Sequence, residues 1–257
     1  MGSKKNVFSL SGKTALIIGG GGLGKPIACA MLEQGANVIV ADRNKHAADE
    51  LIDIAMIHNV LYFGIQVDLL DEESVCRAVK EAYVKTGRID ILVNAAGVNK
   101  LKKAEEYDTE TWNFVLDVNL TGVHMITREV GKKMIQQRYG RILSISSVKS
   151  LLGTEQDYIA YCASKGAVNM YTKQLACEWG KYGITVNAVA PTFTRTMINA
   201  EQLDDPEFYN ALVARIPLGR ICTTEDISNV AVFLCSDAAE FITGQILRID
   251  GGLTARQ

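Results

Sequence analysis

The sequence has no C-x-x-C pair, although it contains six cysteines scattered over 257 residues. Closely spaced cysteine pairs are typical of zinc sites, and regular cysteine frameworks are typical of small disulfide-linked domains. The scattered positions of these cysteines are compatible with free thiols and with small apolar side chains that fill the core. It predicts reduced cysteines, no metal site and a cytoplasmic location.

The sequence also lacks an excess of positive charge, with 27 Lys and Arg against 29 Asp and Glu and a net charge of −2. No overall field therefore attracts DNA, RNA or an anionic membrane, and no basic or aromatic stripe suggests nucleic-acid binding. No apolar run reaches the length of a transmembrane helix, and no apolar signal core begins the sequence. We expect neither a nucleic-acid nor a membrane partner.

Apolar strand-like runs alternate with helix-length segments along the sequence. The predicted strands are 14–18, 37–41, 61–67, 89–94, 141–146, 185–189 and 245–249. The predicted helices are 24–34, 45–57, 72–86, 111–137, 158–181 and 225–236. Strict alternation predicts an α/β fold in which a doubly wound parallel sheet lies between two helical layers, the three-layer Rossmann arrangement.

We expect residues 1–257 to form a single domain, because no linker, repeat or low-complexity stretch divides them. Residues 192–217 break the alternating rhythm and contain Pro206 and Pro217. This segment follows a predicted strand end, where ligands bind in such sheets. It is predicted to be an insertion that covers the substrate.

The first predicted strand leads into a glycine-rich turn, Gly19-Gly20-Gly21-Gly22-Leu23-Gly24. Glycines allow backbone amides to approach a pyrophosphate closely, and the following helix N-terminus adds its positive end. Asp42 ends the second strand, where a carboxylate accepts hydrogen bonds from the adenosine ribose and repels a 2′-phosphate. NAD is therefore predicted in preference to NADP, with Arg43 and Lys25 as the nearby cations that would soften this preference.

Tyr161 and Lys165 lie four residues apart in a predicted helix and therefore share one helix face. A free tyrosine has a pKa near ~10, and a fixed positive charge beside it lowers that value. Such a phenol can exchange a proton with an alcohol or a carbonyl. In isolation, this spacing is more often found on a solvated helix face.

The order of further motifs resembles the short-chain dehydrogenases/reductases from about residue 7 to 254. The shared motifs are the glycine turn, Asp68 after the third strand, Asn94-Ala95-Ala96-Gly97 after the fourth, Asn119 in Val118-Asn119-Leu120-Thr121-Gly122, Ile145-Ser146-Ser147-Val148, Tyr161-x-x-x-Lys165, Asn187-Ala188-Val189-Ala190-Pro191 and Ile249-Asp250-Gly251-Gly252. The resemblance implies hydride transfer between a nicotinamide cofactor and a secondary alcohol or ketone.

The resemblance also implies a role for each matched residue. Ser147 orients the substrate oxygen, Tyr161 is the acid/base, Lys165 tunes Tyr161 and binds the nicotinamide ribose, and Asn119 holds a proton-relay water. The implied cofactor-binding residues are Gly19, Gly22, Leu23, Gly24, Asp42, Arg43, Asp68, Leu69, Asn94, Ala96, Gly97, Tyr161, Lys165, Pro191, Thr194 and Thr196. The implied substrate-binding residues are Asn99, Ser147, Lys149, Tyr161 and Phe193.

Three positions depart from the family's pattern. Ile18 stands where the glycine turn usually begins with threonine, and the turn is one residue short. The gap between Ser147 and Tyr161 is one residue longer than is common, and Pro191-Thr192 replaces the usual Pro-Gly. These changes affect loop hydrogen bonds and the pocket roof rather than the backbone cradle.

The pattern is most similar to members that oxidise sugars or polyols, such as gluconate or glucose dehydrogenases. Lys100, Lys149 and Arg195 are candidates to bind a substrate carboxylate, with solvated rim residues as the alternative. The other functions that remain open are a 3-oxoacyl-carrier-protein reductase and a catalytically silent dinucleotide-binding sensor or scaffold. The resemblance further implies a homotetramer.

Overall fold

The computed structural model describes residues 6–153, 156–196 and 200–256. Its seven described strands form one parallel sheet with the order β3-β2-β1-β4-β5-β6-β7. The strands are β1 Thr14–Ile18, β2 Asn37–Asp42, β3 Tyr62–Gln66, β4 Ile91–Asn94, β5 Gly140–Ile145, β6 Ile184–Pro191 and β7 Ile246–Ile249. The predicted doubly wound parallel sheet is confirmed.

Helices cover both faces of this sheet. The α-helices are α1 Gly24–Glu33, α2 Leu51–His58, α3 Glu72–Thr86, α4 Thr109–Leu116, α5 Gly122–Gln137, α6 Ile159–Trp179, α7 Ala200–Leu203, α8 Pro206–Val213 and α9 Thr224–Cys235. Side chains of a strand alternate between faces. In β1, Ala15 and Ile17 accordingly pack into one apolar core, and Leu16 and Ile18 pack into the other.

Successive strands are added toward one edge of the sheet from β1 to β3 and toward the other edge from β4 to β7, so this direction reverses between β1 and β4, which are parallel neighbours. In such sheets the crevice outside the carboxyl ends of the strands, at this reversal, is the usual ligand site. The topology therefore places the glycine turn after β1 and the loop after β4 side by side.

Helix α2 begins six residues later than the sequence predicted, at Leu51 instead of residue 45. Asp42 accepts a hydrogen bond from the backbone N–H of Asn44 at 3.0 Å, and Asn44 accepts one from His46 at 3.1 Å. Such side-chain bonds to nearby backbone groups compete with helix formation. The predicted start of this helix is wrong for that reason.

The predicted helix 111–137 is divided by a π-helical turn, Asp117–Thr121, between α4 and α5. The segment predicted to cover the substrate contains the short helices α7 and α8. Asp205 caps α8 by accepting a hydrogen bond from Glu207, and Pro206 occupies the first turn. No helix within the described ranges is both long and apolar enough to cross a membrane.

Candidate active site

A cavity of about 530 Å³ opens at the carboxyl ends of the central strands. Its lining includes the last residues of several strands and the loops that follow them. Strand ends are represented by Ile18, Asp42, Ile145 and Pro191. The cavity thus extends from the glycine turn across the sheet to the start of α6.

The glycine turn is shaped by two kinds of position. A Cβ at Gly24 would overlap the carbonyl oxygen of Gly19, and a Cβ at Gly19 would lie 2.9 Å from the backbone nitrogen of Ala96. These two glycines let the turn pack against α1 and the loop after β4. A Cβ at Gly21 or Gly22 would meet no atom within 4 Å, and both residues line the cavity. They leave open space beside the N-terminus of α1, which suits a pyrophosphate.

Asp42 connects the end of β2 to the glycine turn. One carboxylate oxygen accepts a hydrogen bond from the backbone N–H of Gly20 at 2.8 Å, and the carboxylate lines the cavity beside Arg43. Lys25 forms an ion pair with Glu50 at 2.5 Å and is not among the described lining residues. Of the two predicted cations, Arg43 alone lies where it would meet a dinucleotide.

The structure brings together most of the residues predicted to bind a cofactor. Those that line the cavity are Gly19, Gly22, Leu23, Asp42, Arg43, Asp68, Leu69, Ala96, Gly97, Tyr161, Lys165, Pro191, Thr194 and Thr196. Gly24 and Asn94 do not line it. The Asn94 side chain instead donates hydrogen bonds to Thr127 at 3.1 Å and Ser144 at 3.3 Å inside the protein. The geometry thus gives Asn94 partners within the protein, and its predicted place beside the cofactor stays a prediction.

All five predicted substrate-binding residues line the cavity, namely Asn99, Ser147, Lys149, Tyr161 and Phe193. The lining near the glycine turn also includes Gly21, Val67 and Leu70, which were not predicted although each adjoins a predicted residue. Phe114 on α4 and Val118 in the π-helical turn also line the cavity and were not predicted to do so. Val118 lies in the motif that contains Asn119, whereas no motif in the sequence marks Phe114.

Ser147 and Tyr161 meet at the deeper end of the cavity. Ser147 begins a short 3₁₀ turn after β5, and its hydroxyl accepts a hydrogen bond from the backbone N–H of Lys149 at 3.2 Å. A hydrogen bond also joins Ser147 and Tyr161. Two hydroxyl groups therefore face one point in the cavity, where they can share a substrate oxygen.

Lys165 lies beside this pair and is 5 % exposed. Its ammonium donates a hydrogen bond to the carbonyl of Ile145 at 2.7 Å and lies 5.6 Å from the centre of the Tyr161 ring. Burial lowers the pKa of Lys165 to about 8. The same burial makes the side chain costly to keep charged.

Burial raises the pKa of Tyr161, and the hydrogen bond to Ser147 opposes this shift only in part. The sequence predicted the opposite direction, with Lys165 lowering the tyrosine pKa. The difference arises because Lys165 donates to the Ile145 carbonyl and because loss of solvent disfavours the phenolate. In this structure Tyr161 is a phenol at neutral pH.

Asn119 lies in the π-helical turn and is fully buried. Its amide accepts a hydrogen bond from the Val98 backbone N–H at 2.8 Å and donates to the Val98 carbonyl at 2.8 Å and to Ser164 at 3.1 Å. It is not among the described lining residues. These contacts fasten the loop after β4 to α6, and the predicted water-holding role stays a prediction.

A buried polar network behind Ser147 was not foreseen from the sequence. Ser146 donates a hydrogen bond to Asn169 at 2.6 Å, Asn169 donates to Ser150 at 2.7 Å, and Ser150 donates to the carbonyl of Ser147. Asn169 follows Lys165 by four residues on α6, so the helical spacing is the one signal that points to it. The network holds Ser147 against the helix that carries Tyr161 and Lys165.

The three cations proposed to bind a carboxylate differ in position. Lys149 lines the cavity. Arg195 instead forms an ion pair with Asp204 at 2.7 Å and donates a hydrogen bond to the Leu203 carbonyl. Both contacts lie at the C-terminal end of α7. Lys100 is not among the described lining residues, and its ammonium lies 5.8 Å from the centre of the Phe114 ring. Only Lys149 keeps the predicted placement.

Comparison with known proteins identifies relatives along nearly the whole chain. The family model described as "Enoyl-(Acyl carrier protein) reductase" matches residues 19–254. D-threitol dehydrogenase of Mycolicibacterium smegmatis is 38% identical over 250 residues, which cover 97% of this chain and 95% of that protein. A 3-oxoacyl-[acyl-carrier-protein] reductase of Aquifex aeolicus is 38% identical over 251 residues, which cover 96% and 99%.

A solved structure agrees with these matches. The crystal structure of a gluconate 5-dehydrogenase from Burkholderia cenocepacia, in complex with NADP and tartrate, has a TM-score of 0.92 and 35% identity. The alignment covers 98% of this chain and 99% of that one. The chain belongs to the short-chain dehydrogenase/reductase family. It is therefore an oxidoreductase that acts on CH–OH groups with a nicotinamide cofactor.

Replacing Lys165 should reveal the cost of burying its charge. Its pKa is lowered from 10.5 to about 8, so between these pH values the unfolded chain holds a proton that the folded chain has lost. Folding stability attributable to this group therefore rises with pH in that window, and the penalty is complete below pH 8. We expect Lys165→Met to be more stable than wild type at pH 7, by at most ~3 kcal/mol before the lost hydrogen bond is subtracted.

Urea unfolding of both proteins from pH 7 to 10.5 measures this difference. The advantage of Lys165→Met should shrink steadily as the pH rises above 8. Lys181→Met provides the control, because it replaces a lysine that is exposed. A stability difference for Lys165→Met that does not change with pH would contradict the assignment.

Proposed function

We propose that this enzyme transfers a hydride between NAD(H) and a secondary alcohol or ketone of a sugar, sugar acid or polyol. The observation that carries the proposal is the meeting of Ser147 and Tyr161 in the cavity, with the buried Lys165 beside them. The names of the D-threitol and gluconate dehydrogenases support the substrate class.

The cavity fits a nicotinamide dinucleotide. The open space at Gly21 and Gly22 would receive the pyrophosphate, Asp42 the adenosine ribose, and Asp68 the adenine. Lys165 would hold the nicotinamide ribose, and Thr196 would contact the carboxamide. When bound, the nicotinamide ring supplies or accepts the hydride, whereas the protein supplies orientation and a proton partner.

Ser147 and Tyr161 would both bond to the oxygen of the reacting carbon, which stabilises the negative charge that develops there. In carbonyl reduction, the Tyr161 phenol donates its proton to that oxygen. In alcohol oxidation, a Tyr161 phenolate takes the hydroxyl proton, so this direction requires the phenol to ionise first. Because burial raises the pKa of Tyr161, oxidation should become faster as the pH rises.

The preference for NAD rests on Asp42. Its carboxylate is fixed by the Gly20 N–H at 2.8 Å and lines the cavity at the end of β2. A 2′-phosphate on the adenosine ribose would lie against this negative charge. Arg43 is the neighbouring cation that would favour NADP, and the gluconate 5-dehydrogenase structure does contain NADP. We propose that the fixed carboxylate outweighs the exposed guanidinium.

We also propose that residues 1–257 act as one domain, with the segment 192–217 covering the substrate, and that the chain assembles as a homotetramer in the cytoplasm. The described cysteines are all free, which is compatible with a reducing compartment. Strand β7 pairs only with β6 among the described strands, and Phe241 and Leu247 near it are exposed. An exposed apolar strand edge favours association.

Two alternatives remain. A 3-oxoacyl-carrier-protein reductase is favoured by the relative from Aquifex aeolicus, whose identity equals that of the threitol dehydrogenase. A catalytically silent dinucleotide-binding sensor or scaffold is disfavoured by the paired hydroxyls of Ser147 and Tyr161. Turnover with small alcohols separates all three functions.

A substrate panel tests the proposed function directly. Sugars, sugar acids, polyols and an acetoacetyl thioester are incubated with each cofactor, and NADH or NADPH absorbance is followed. We expect oxidation of at least one polyhydroxy substrate, with a higher kcat/KM for NAD than for NADP because of Asp42. Activity restricted to the thioester would support the acyl-carrier-protein reductase instead.

Removing the Tyr161 hydroxyl should reduce turnover by about 10²–10⁴-fold, the usual range for a positioned acid or base. Tyr161→Phe keeps the ring, so cofactor binding measured by fluorescence should survive. Tyr158→Phe is the matched control, because its ring centre lies 6.2 Å from that of Tyr161 and it also lines the cavity. Near-normal oxidation by Tyr161→Phe would refute the acid/base assignment.

The oligomeric state can be read from light scattering at micromolar concentration. We expect a particle of four 28.0 kDa chains. Phe241→Asp should lower the mass by placing a charge on a side chain that is 101% exposed near the sheet edge. Ile57→Asp, on α2 at the other end of the sheet, alters an exposed apolar residue without this effect. A wild-type monomer would overturn the proposal.

A further inference from the structure

Lys149 is fixed close to the reacting groups. Its backbone N–H donates to the Ser147 hydroxyl at 3.2 Å, within the 3₁₀ turn Val148–Ser150. Its side chain is half-buried, and the ammonium lies 4.7 Å from the centre of the Tyr158 ring and 5.8 Å from that of Phe193. The two rings surround the cation with electron-rich faces but do not neutralise its charge.

Arg215 approaches Lys149 from the segment that was predicted to cover the substrate. It follows α8, and its backbone N–H donates to the Leu212 carbonyl at 3.1 Å. The guanidinium of Arg256 donates to the carbonyl of Ala214 at 2.8 Å, which fastens the C-terminal segment beside it. The chain thus brings a second cation to the substrate end from a distant part of the sequence.

Both cations line a small side cavity of about 30 Å³ that adjoins the main one. Lys149 and Phe193 line both cavities, so the two spaces meet at these residues. Burial lowers the pKa of Lys149, and the positive charge of Arg215 lowers it further, whereas Cys162 opposes the shift. The positive charges of Lys149 and Arg215 therefore repel each other across this space.

Nothing in the described lining balances these charges. Neither Lys149 nor Arg215 forms an ion pair with a described residue. The carboxylates among the described lining residues are Asp42 and Asp68, which lie at the glycine-turn end of the main cavity. Two cations beside a pocket without a carboxylate favour an anionic ligand.

We propose that Lys149 and Arg215 form a carboxylate-binding subsite, and that the substrate is an acidic sugar rather than a neutral polyol. This inference rests on the proposed function, because it places the carboxylate beyond the hydroxyl that reacts at Ser147 and Tyr161. The small side cavity suits a planar carboxylate better than the bulkier phosphate of a sugar phosphate. The covering segment thereby contributes to substrate choice as well as to enclosure.

D-gluconate and D-glucitol test this subsite, since they differ at one end by a carboxylate and a CH₂OH group. We expect wild type to have the higher kcat/KM for gluconate. Lys149→Met and Arg215→Met should each lower the gluconate-to-glucitol ratio by about tenfold, as for the loss of one partly exposed charged hydrogen bond. Added salt should weaken the wild-type preference and have little effect in the double variant.

Lys100→Met is the matched control, because it removes the same charge from a residue outside the described lining. It should leave the ratio unchanged. D-glucitol 6-phosphate separates the two oxyanions, and a preference for it over gluconate that depends on Lys149 would overturn the carboxylate assignment. A wild-type preference for glucitol, or an unchanged ratio in the double variant, would also overturn it.

Calorimetry separates failure of the subsite from failure of the proposed function. Gluconate is titrated into the cofactor-loaded Tyr161→Phe protein, which binds without turnover, and into the same protein carrying Lys149→Met. Binding of gluconate that requires Lys149, without oxidation of any alcohol by wild type, would support the subsite and refute the oxidoreductase proposal for sugars. Oxidation of glucitol with no binding of gluconate would do the reverse.

Discussion

The parallel sheet is enclosed by helices on both faces, and the rest of the molecule depends on this constraint. Every residue of β1, β5 and β6 is buried, so a polar group within these strands is costly unless it finds a partner inside the protein. Asn187 does so by donating to the Ile242 carbonyl at 2.8 Å. Groups that must meet a ligand are confined to the strand ends, where backbone and side chains reach the cavity.

This constraint also explains what the sequence could reveal. Continuous apolar runs and their alternation with helical segments were sufficient to predict where the strands lie along the chain and that they form a doubly wound parallel sheet, because burial on both faces leaves a strong hydrophobic signal. The ordered motifs at the strand ends located Asp42, Ser147 and Tyr161 in the cavity lining. Apolar runs and strand-end motifs thus predicted the strands and several residues of the cavity lining.

The features that the sequence did not predict depend on particular side-chain hydrogen bonds, some between distant residues and some between residues two positions apart. Asn94 ends β4 beside residues that were predicted to contact the cofactor, but its side chain donates hydrogen bonds to Thr127 and Ser144 inside the protein. The delayed start of α2 came from short side chains that capture backbone groups. Arg215 lies in the segment that was predicted to cover the substrate but was not singled out beside Lys149, because its placement requires the C-terminal segment to pack against the chain after α8. No periodicity in the sequence encodes such contacts.

The side chains around Tyr161 are held by a set of buried hydrogen bonds that all end on α6. Lys165 is bound to the Ile145 carbonyl, Ser164 to Asn119, and Asn169 to Ser146 and Ser150. Because an unpaired buried polar group is costly, each bond restricts its side chain to one arrangement. The buried charge of Lys165 opposes folding, and the surrounding network keeps that strained arrangement in place. The buried Lys165 thus lowers the free energy of unfolding, while the hydrogen bonds around it fix the geometry near Tyr161.

The π-helical turn has a consequence for the register between α4 and α5. Val115 on α4 and Val123 on α5 are both buried, although they are eight residues apart. In a regular α-helix, eight residues correspond to two turns and a further rotation of about 80°. The wider turn at Asp117–Thr121 absorbs this additional rotation, since a π turn holds one more residue than an α turn. The buried residues of α4 and α5 therefore continue along one side of the two helices. Asn119 lies on that side, within the π-helical turn that accommodates the extra residue.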